Sequence, residues 1–196
     1  MPTARGALYE VDTRLRPQGV QGPLAVSLDS FARYQRKDAW VWEHMALTRA
    51  RVVAGSDEAK AAVDAQLQEV LQIKRDPADL REAVLKMRRE IAASKPPKGP
   101  LDAKLLRGGL VDLEFLIHHQ QLRHNTGLSP QLWTAISELT DRGLLPDGFM
   151  DAHDTLGRII AAMRLLAPDA AMPDDARAQV LAGACNTAGA AGLLQS

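Results

Sequence analysis

One segment of this chain has the pattern of a β-strand, and a lone strand cannot bury its apolar face or pair its backbone. It is Leu8-Tyr9-Glu10-Val11-Asp12-Thr13-Arg14-Leu15-Arg16-Pro17. Alternation puts Tyr9 and Val11 on one face and Leu8, Glu10 and Asp12 on the other. Pro17 and the Gly19/Gly22 pair end it. A strand needs neighbours for its backbone groups, and no other segment offers an obvious one. The expectation is therefore the rear part of a larger catalytic domain, with a carboxylate at a strand end and arginines just beyond. That chemistry suits a metal and a phosphate.

Everything downstream has helical spacing. Ser27 or Asp29 caps a helix whose apolar positions are Leu28, Phe31 and Ala32, with Tyr34 and Gln35 following. The Lys37-Asp38 pair interrupts it. A second helix is expected over about 39–50, with Trp40, Trp42, Met45, Ala46 and Leu47 over a broad arc. Gly55-Ser56-Asp57 stops it and caps a helix over 57–72. Asp76-Pro77 is an N-cap followed by proline at the first helical position, and periodicity runs to about Ala93. Ser94-Lys95-Pro96-Pro97-Lys98-Gly99-Pro100 cannot continue a helix. After Gly108-Gly109 comes a strongly apolar helix over 110–124. Helices over 130–141, capped by Ser129, and 147–166 follow. A last segment is expected over 173–182, and residues 183–196 have little to pack.

The expected fold is mainly α: a short α/β remnant followed by a helical bundle. Its divisions are 1–93, a helical domain over 101–182, and a tail over 183–196. Lys+Arg and Asp+Glu number 24 each. The resulting zero formal charge argues against bulk electrostatic binding of nucleic acid or anionic membrane. A single cysteine, Cys185, excludes an internal disulfide and leaves a reducing compartment as the default. With no long apolar run, a cytoplasmic location is expected.

Three stretches in order carry a resemblance: LYEVDTRLRP (8–17), FARYQRKDAWVWEHMALTRARVVA (31–54) and GGLVDLEF (108–115). They resemble the family of bifunctional enzymes that adenylylate and de-adenylylate bacterial glutamine synthetase. That family belongs to the nucleotidyltransferase superfamily. The Trp-Val-Trp-Glu-His-Met-Ala-Leu-Thr-Arg-Ala-Arg run resembles its C-terminal, adenylylating half. The resemblance implies transfer of AMP from ATP to a tyrosine hydroxyl of glutamine synthetase. It also implies Mg²⁺, and partners in glutamine synthetase and a PII-type regulator. Asp12 matches the third catalytic carboxylate, a metal ligand, with Arg14 and Arg16 beside the phosphates. The Gly-Ser and Asp-x-Asp elements that precede it in the family have no counterpart here, so an inactive fragment is expected.

Other residues remain open. Glu43, Arg49 and Arg51 are candidates for substrate or domain contact, although the helix dipole alone accounts for arginines at a helix C-terminus. Asp112 and Glu114, at i and i+2, do not share a helix face. They are expected in a polar network joining domains, Asp112 holding Arg107, Lys104 or an arginine of the catalytic part. Trp40 and Trp42 are expected to pack. His118, His119 and His124 are expected to titrate at a solvated edge. The alternatives are a non-catalytic helical protein-binding module and the adenylyl-removing half of the same family.

Overall fold

A computed structural model describes residues 12–98 and 102–166. Seven helices carry it: α1 Leu28–Lys37, α2 Val41–Leu47, α3 Asp57–Leu71, α4 Pro77–Ser94, α5 Leu110–His124, α6 Leu132–Asp141 and α7 Phe149–Leu166. A single 3-10 turn, Gly19–Gln21, precedes them. The starts follow local chemistry. Ser27 Oγ accepts the Ser30 N–H, Ser56 Oγ the Ala59 N–H, and Asp76 Oδ1 the N–H groups of Ala78 and Asp79. Each side chain satisfies donors that the first helical turn leaves unpaired. No helix among the described residues is long and apolar enough to cross a membrane.

Helix α5 is the centre. Its Leu113, Leu116 and Ile117 join Ile136 and Leu139 of α6 and Phe149, Ala152 and Leu156 of α7 in one apolar cluster. Its Leu122 joins Met45 of α2, Leu71 of α3, and Leu80 and Val84 of α4 in a second. A helix packed on several sides is apolar all round rather than along one stripe.

The expected α/β remnant is overturned: no strand occurs among the described residues. Residues 8–11 of the expected strand lie outside them. Asp12 and Thr13 are irregular, and Arg14–Pro17 form turns and bends. The cause is local. Asp12 Oδ1 accepts the Arg14 N–H at 2.9 Å, and the Arg16 guanidinium bonds Thr13 O at 2.9 Å and Gly22 O at 3.1 Å. Such side-chain bonds compete with a sheet ladder.

Smaller differences follow the same logic. α2 is shorter than expected, and α6 starts at Leu132 after Gln131, because Ser129 Oγ accepts the Gln131 N–H instead of capping a helix. Trp40 is 65% exposed, so it does not pack. The 173–182 segment and the 183–196 tail lie outside the described residues.

The Gly108-Gly109 pair is explained by close approach. A Cβ on Gly109 would lie 2.7 Å from Ala103 O and 2.9 Å from Leu106 O. That closeness lets the Leu110 and Val111 N–H groups donate to Ala103 O and Lys104 O. Asp112, inside the first turn, accepts the Gly108 N–H at 2.6 Å. It also pairs with Arg88 of α4, whose Nη2 reaches Leu105 O at 3.0 Å. Arg88, which pairs with Asp112, lies within residues 1–93, on the far side of the Pro96-Pro97 loop from α5.

His118 and His119 are buried, not at a solvated edge. Gln121 Nε2 donates to Gly127 O at 2.6 Å, which turns Gln121 Oε1 toward His118 Nδ1 at 2.9 Å. His118 Nδ1 therefore carries the proton. Thr48 Oγ1, donating to Met45 O, sits 2.9 Å from the same nitrogen. His118 Nε2 is buried without a hydrogen-bond partner among the described residues. Burial disfavours the imidazolium and lowers the His118 pKa to about 4, as it does for His119.

Two outcomes follow for stability. Asp112→Ala leaves the partly buried Arg88 without its anion and is expected to cost about 3 kcal/mol, read by urea denaturation. Replacing both by apolar residues of similar volume should recover most of the loss. The His118 contribution runs with pH. Its folded pKa lies below the unfolded value of 6.5, so the stabilisation is complete above pH 6.5 and drains away as pH falls toward 4. At pH 4.5 the loss is about 2–3 kcal/mol relative to pH 7. His118→Asn should show a correspondingly smaller drop in unfolding free energy between those two pH values; equal drops would locate the acid sensitivity elsewhere.

Candidate functional site

The first group of candidate residues sits on the turn before α1. Arg14 Nε lies 2.9 and 3.0 Å from the two Asp12 carboxylate oxygens, and both side chains are exposed. The Arg14 hydrogen bonds lower the Asp12 pKa to about 2, so Asp12 is an anion at any ordinary pH. Arg16 turns inward. Its guanidinium donates to Thr13 O, Thr13 Oγ1, Val20 O and Gly22 O. Four of its five donors thus hold the loop in shape. A Cβ on Gly22 would lie 2.0 Å from Pro17 O, so only glycine closes this loop. Asp12 and Arg14 therefore form a local pair, whereas Arg16 is a loop staple.

The second group lies where α2 meets α5. Glu43 is buried. Its Oε1 accepts the Trp40 N–H at 3.0 Å and the Tyr34 hydroxyl at 3.1 Å. It ties the start of α2 to α1. His44 bridges three elements. Nδ1 accepts from Arg75 Nη2 at 2.9 Å, so Nε2 carries the proton and donates to Gln35 O at 3.0 Å. Burial, then the nearby Arg75 charge, lower its pKa. Arg75 also donates to Val70 O, Leu71 O and Ile73 O, which satisfies carbonyls at the C-terminus of α3 and meets the negative end of its dipole.

Arg49 and Glu114 are brought together, Nη1 to Oε2, at 3.6 Å. Asp112 is not with them. It lies buried against Arg88, as its i+2 spacing from Glu114 requires. Arg51 is exposed and has no hydrogen bond or ion pair among the described residues. It stands at a hollow of about 400 Å³. Leu47, Val52, Leu67, Leu71, Leu128 and Pro130 supply its apolar walls, and Thr48 and Asp64 are polar members of the lining. Three segments distant in sequence make this hollow: the end of α2, α3, and the loop after α5. No linear motif marks it. Arg75 and Arg88 were equally invisible, because an arginine that caps a helix or pairs across a helix interface has no local spacing signature.

Among the described residues, no three His, Cys, Asp or Glu side chains converge to hold a metal. Mg²⁺ takes near-octahedral oxygen ligation, usually from one or two carboxylates with substrate phosphates and waters. Asp12 offers one carboxylate, already engaged by Arg14. The described residues do not by themselves compose a Mg²⁺ site.

Comparison with known proteins gives the family. A family model described as glutamate-ammonia ligase adenylyltransferase matches residues 1–66. A bifunctional glutamine synthetase adenylyltransferase/adenylyl-removing enzyme from Brucella suis is 40% identical over 176 residues, covering 87% of this chain and 18% of that protein. Its namesake from Mesorhizobium japonicum is 44% identical over 151 residues, 77% of this chain and 15% of the relative. That from Rhizobium meliloti is 50% identical over 121 residues, 62% of this chain and 12% of the relative. The chain spans less than a fifth of the length of these relatives. Across that stretch, it is homologous to the glutamate-ammonia ligase adenylyltransferase family.

Proposed function

We propose that this chain is part of an enzyme that transfers AMP from ATP to a tyrosine hydroxyl of glutamine synthetase, with release of pyrophosphate. The observation that carries this reading is 40% identity across 87% of the chain to a protein named for that activity. The named relatives combine adenylyl transfer and adenylyl removal. Assignment to the transferring half rests on the run from Trp40 to Arg51.

In this reading Asp12 supplies one anionic ligand to Mg²⁺, and the other ligands come from parts of the enzyme outside the described residues. Divalent ions there would neutralise the triphosphate and stabilise the leaving pyrophosphate. Arg14 is the better phosphate contact of the two arginines. Its ion pair with Asp12 is exposed and exchangeable, whereas Arg16 is engaged by four loop oxygens. Arg49 and Arg51 stand at the open end of α2, available to a protein partner. Asp112 and Glu43 serve the helical body. Helices α5, α6 and α7 would then position partners, with glutamine synthetase and a PII-type regulator as the expected ones, in the cytoplasm. The rival reading, a non-catalytic binding module, is favoured by the Arg51 hollow, which needs no metal to bind a ligand.

Two measurements test the enzymatic reading, and the second separates it from the rival. The chain alone, given labelled ATP, Mg²⁺ and glutamine synthetase, should show no label transfer above background; robust turnover would refute the division of ligands proposed above. In an enzyme that contains this stretch with the rest of the relatives' length, Asp12→Asn should lower kcat by roughly a hundredfold or more, since a lost anionic ligand costs several kcal/mol in the transition state. Thermal stability should stay unchanged, because both Asp12 and Arg14 are exposed. An unaltered kcat would assign Asp12 to the turn alone.

A further inference from the structure

Helices α4 and α5 run antiparallel along one seam. Near the start of α5, Asp112 pairs with Arg88, in the later part of α4. Near the end of α5, Leu122 packs with Leu80 and Val84, in the earlier part of α4. Two turns before Arg88, on the same face of α4, stands Arg81. Two turns after Asp112, on the same face of α5, stands His119, with Arg123 one turn further on. The seam thus carries an arginine of α4 at both levels and a carboxylate of α5 at only one. His119 is 3% exposed, and neither of its ring nitrogens has a hydrogen-bond partner among the described residues. Burial, and then the charges of Arg123, His124 and Arg81, disfavour its imidazolium. Arg81, Arg123 and His124 make no hydrogen bond or ion pair among the described residues. Arg123 and His124 are exposed and Arg81 is half-buried, so the cluster opens to solvent above a buried imidazole. The helix dipole accounts for part of this, since Arg123 and His124 stand in the last turn of α5. It does not account for Arg81, in the second turn of α4 and toward the positive end of that helix. Nor does it account for a buried imidazole without a partner, which carries a free-energy cost.

We propose that Arg81 and Arg123, with His119 and His124 beside them, form a binding site for a phosphate group. The charge fits. Two permanently positive guanidinium groups match a phosphate, which carries about −1.5 to −2 near neutral pH. The geometry of the donors fits as well. Guanidinium forks from two different helices can each take phosphate oxygens bidentately. A carboxylate has two oxygens and one charge, and it leaves one of the two arginines without an anion. His119 adds a donor from whichever nitrogen carries its proton, and its burial makes that bond stronger than one formed in water. The site is separate from Asp12 and Arg14, which precede α1, and it uses no metal. It binds the group at the α4–α5 seam, whose other level is already held by Arg88 and Asp112. A bound phosphate would therefore complete the seam and tighten the pairing of the two helices.

Calorimetric titration of the intact chain with inorganic phosphate at pH 7 and low salt tests the site. Saturable binding at one site is expected. Arg81→Gln and Arg123→Gln should each weaken it by roughly tenfold or more, the worth of one charge-assisted hydrogen bond. Arg33→Gln, on exposed surface of α1, should leave it unchanged. Acetate at the same ionic strength should bind at least tenfold more weakly than phosphate. In proton NMR spectra, phosphate should move the imidazole resonances of His119 and His124 and leave that of His153, on α7, in place. Arg81 and Arg123 make no bonds to the helical body, so the circular dichroism of the variants should match the wild type. Should Arg81→Gln perturb the fold, the His119 resonance of the wild type carries the test by itself. Absence of saturable binding up to high millimolar phosphate overturns the proposal. So does binding that weakens equally in Arg33→Gln, or that leaves the His119 resonance unmoved. Acetate binding as tight as phosphate overturns the assignment to phosphate and gives the seam to a carboxylate.

Discussion

The pairing of Arg88 with Asp112 is the interaction on which the helical body depends. Asp112 stands in the first turn of α5, where a carboxylate is favoured by the helix dipole, and its second oxygen takes the Gly108 N–H. Arg88 reaches across from α4 to Asp112 and to Leu105 O. One buried ion pair thereby fixes the entry of α5, the direction of α4 and the conformation of the turn between them. Because α5 contributes to both apolar clusters, its placement sets the relation of α2, α3 and α4 on one side to α6 and α7 on the other. Gly109 belongs to the same device, since only a residue without Cβ lets the helix start against the carbonyls of Ala103 and Leu106.

Polar groups in this core act as connectors. His44 links Gln35 O of α1 to Arg75 and through it to the end of α3. His118 links Thr48, at the end of α2, to Gln121 and so to Gly127 in the loop beyond α5. Both imidazoles are held neutral by burial, and the bonds they make define which nitrogen carries the proton. A buried hydrogen-bonded network of this kind is stable only while each member keeps its protonation state. The same network forms the back of the Arg51 hollow through Thr48, so the hollow's shape is tied to the core and not to a loop.

Helix positions were legible because their causes are local. Ser27, Ser56 and Asp76 announce starts by side-chain capping. Lys37-Asp38 and the prolines after Lys95 announce ends. The apolar spacing of Leu80, Val84, Leu113, Leu116 and Ile117 marks buried faces. Each of these signals acts within a turn or two of chain, and the helices formed where the signals stood. The homology was legible for a different reason: three long stretches occur in order, and chance does not supply that.

What the sequence by itself determined, then, was the helical body, the caps at Ser27, Ser56 and Asp76, its buried apolar faces and its likeness to one enzyme family. Tertiary structure decided the rest. Alternation over Leu8–Arg16 suggested a strand, but alternation describes side chains and says nothing of partners for the backbone. With Arg14 folded onto Asp12 and Arg16 onto the loop carbonyls, Asp12 and Thr13 are irregular and residues 14–17 form turns and a bend. Charge and polarity placed His118 and His119 at a solvent edge, yet α5 is surrounded and buries them. The partner of Asp112 lies 24 residues away, and the hollow beside Arg51 is assembled from three separate segments. Contacts across such distances depend on which helices meet and at what angle, and no periodicity along the chain records that.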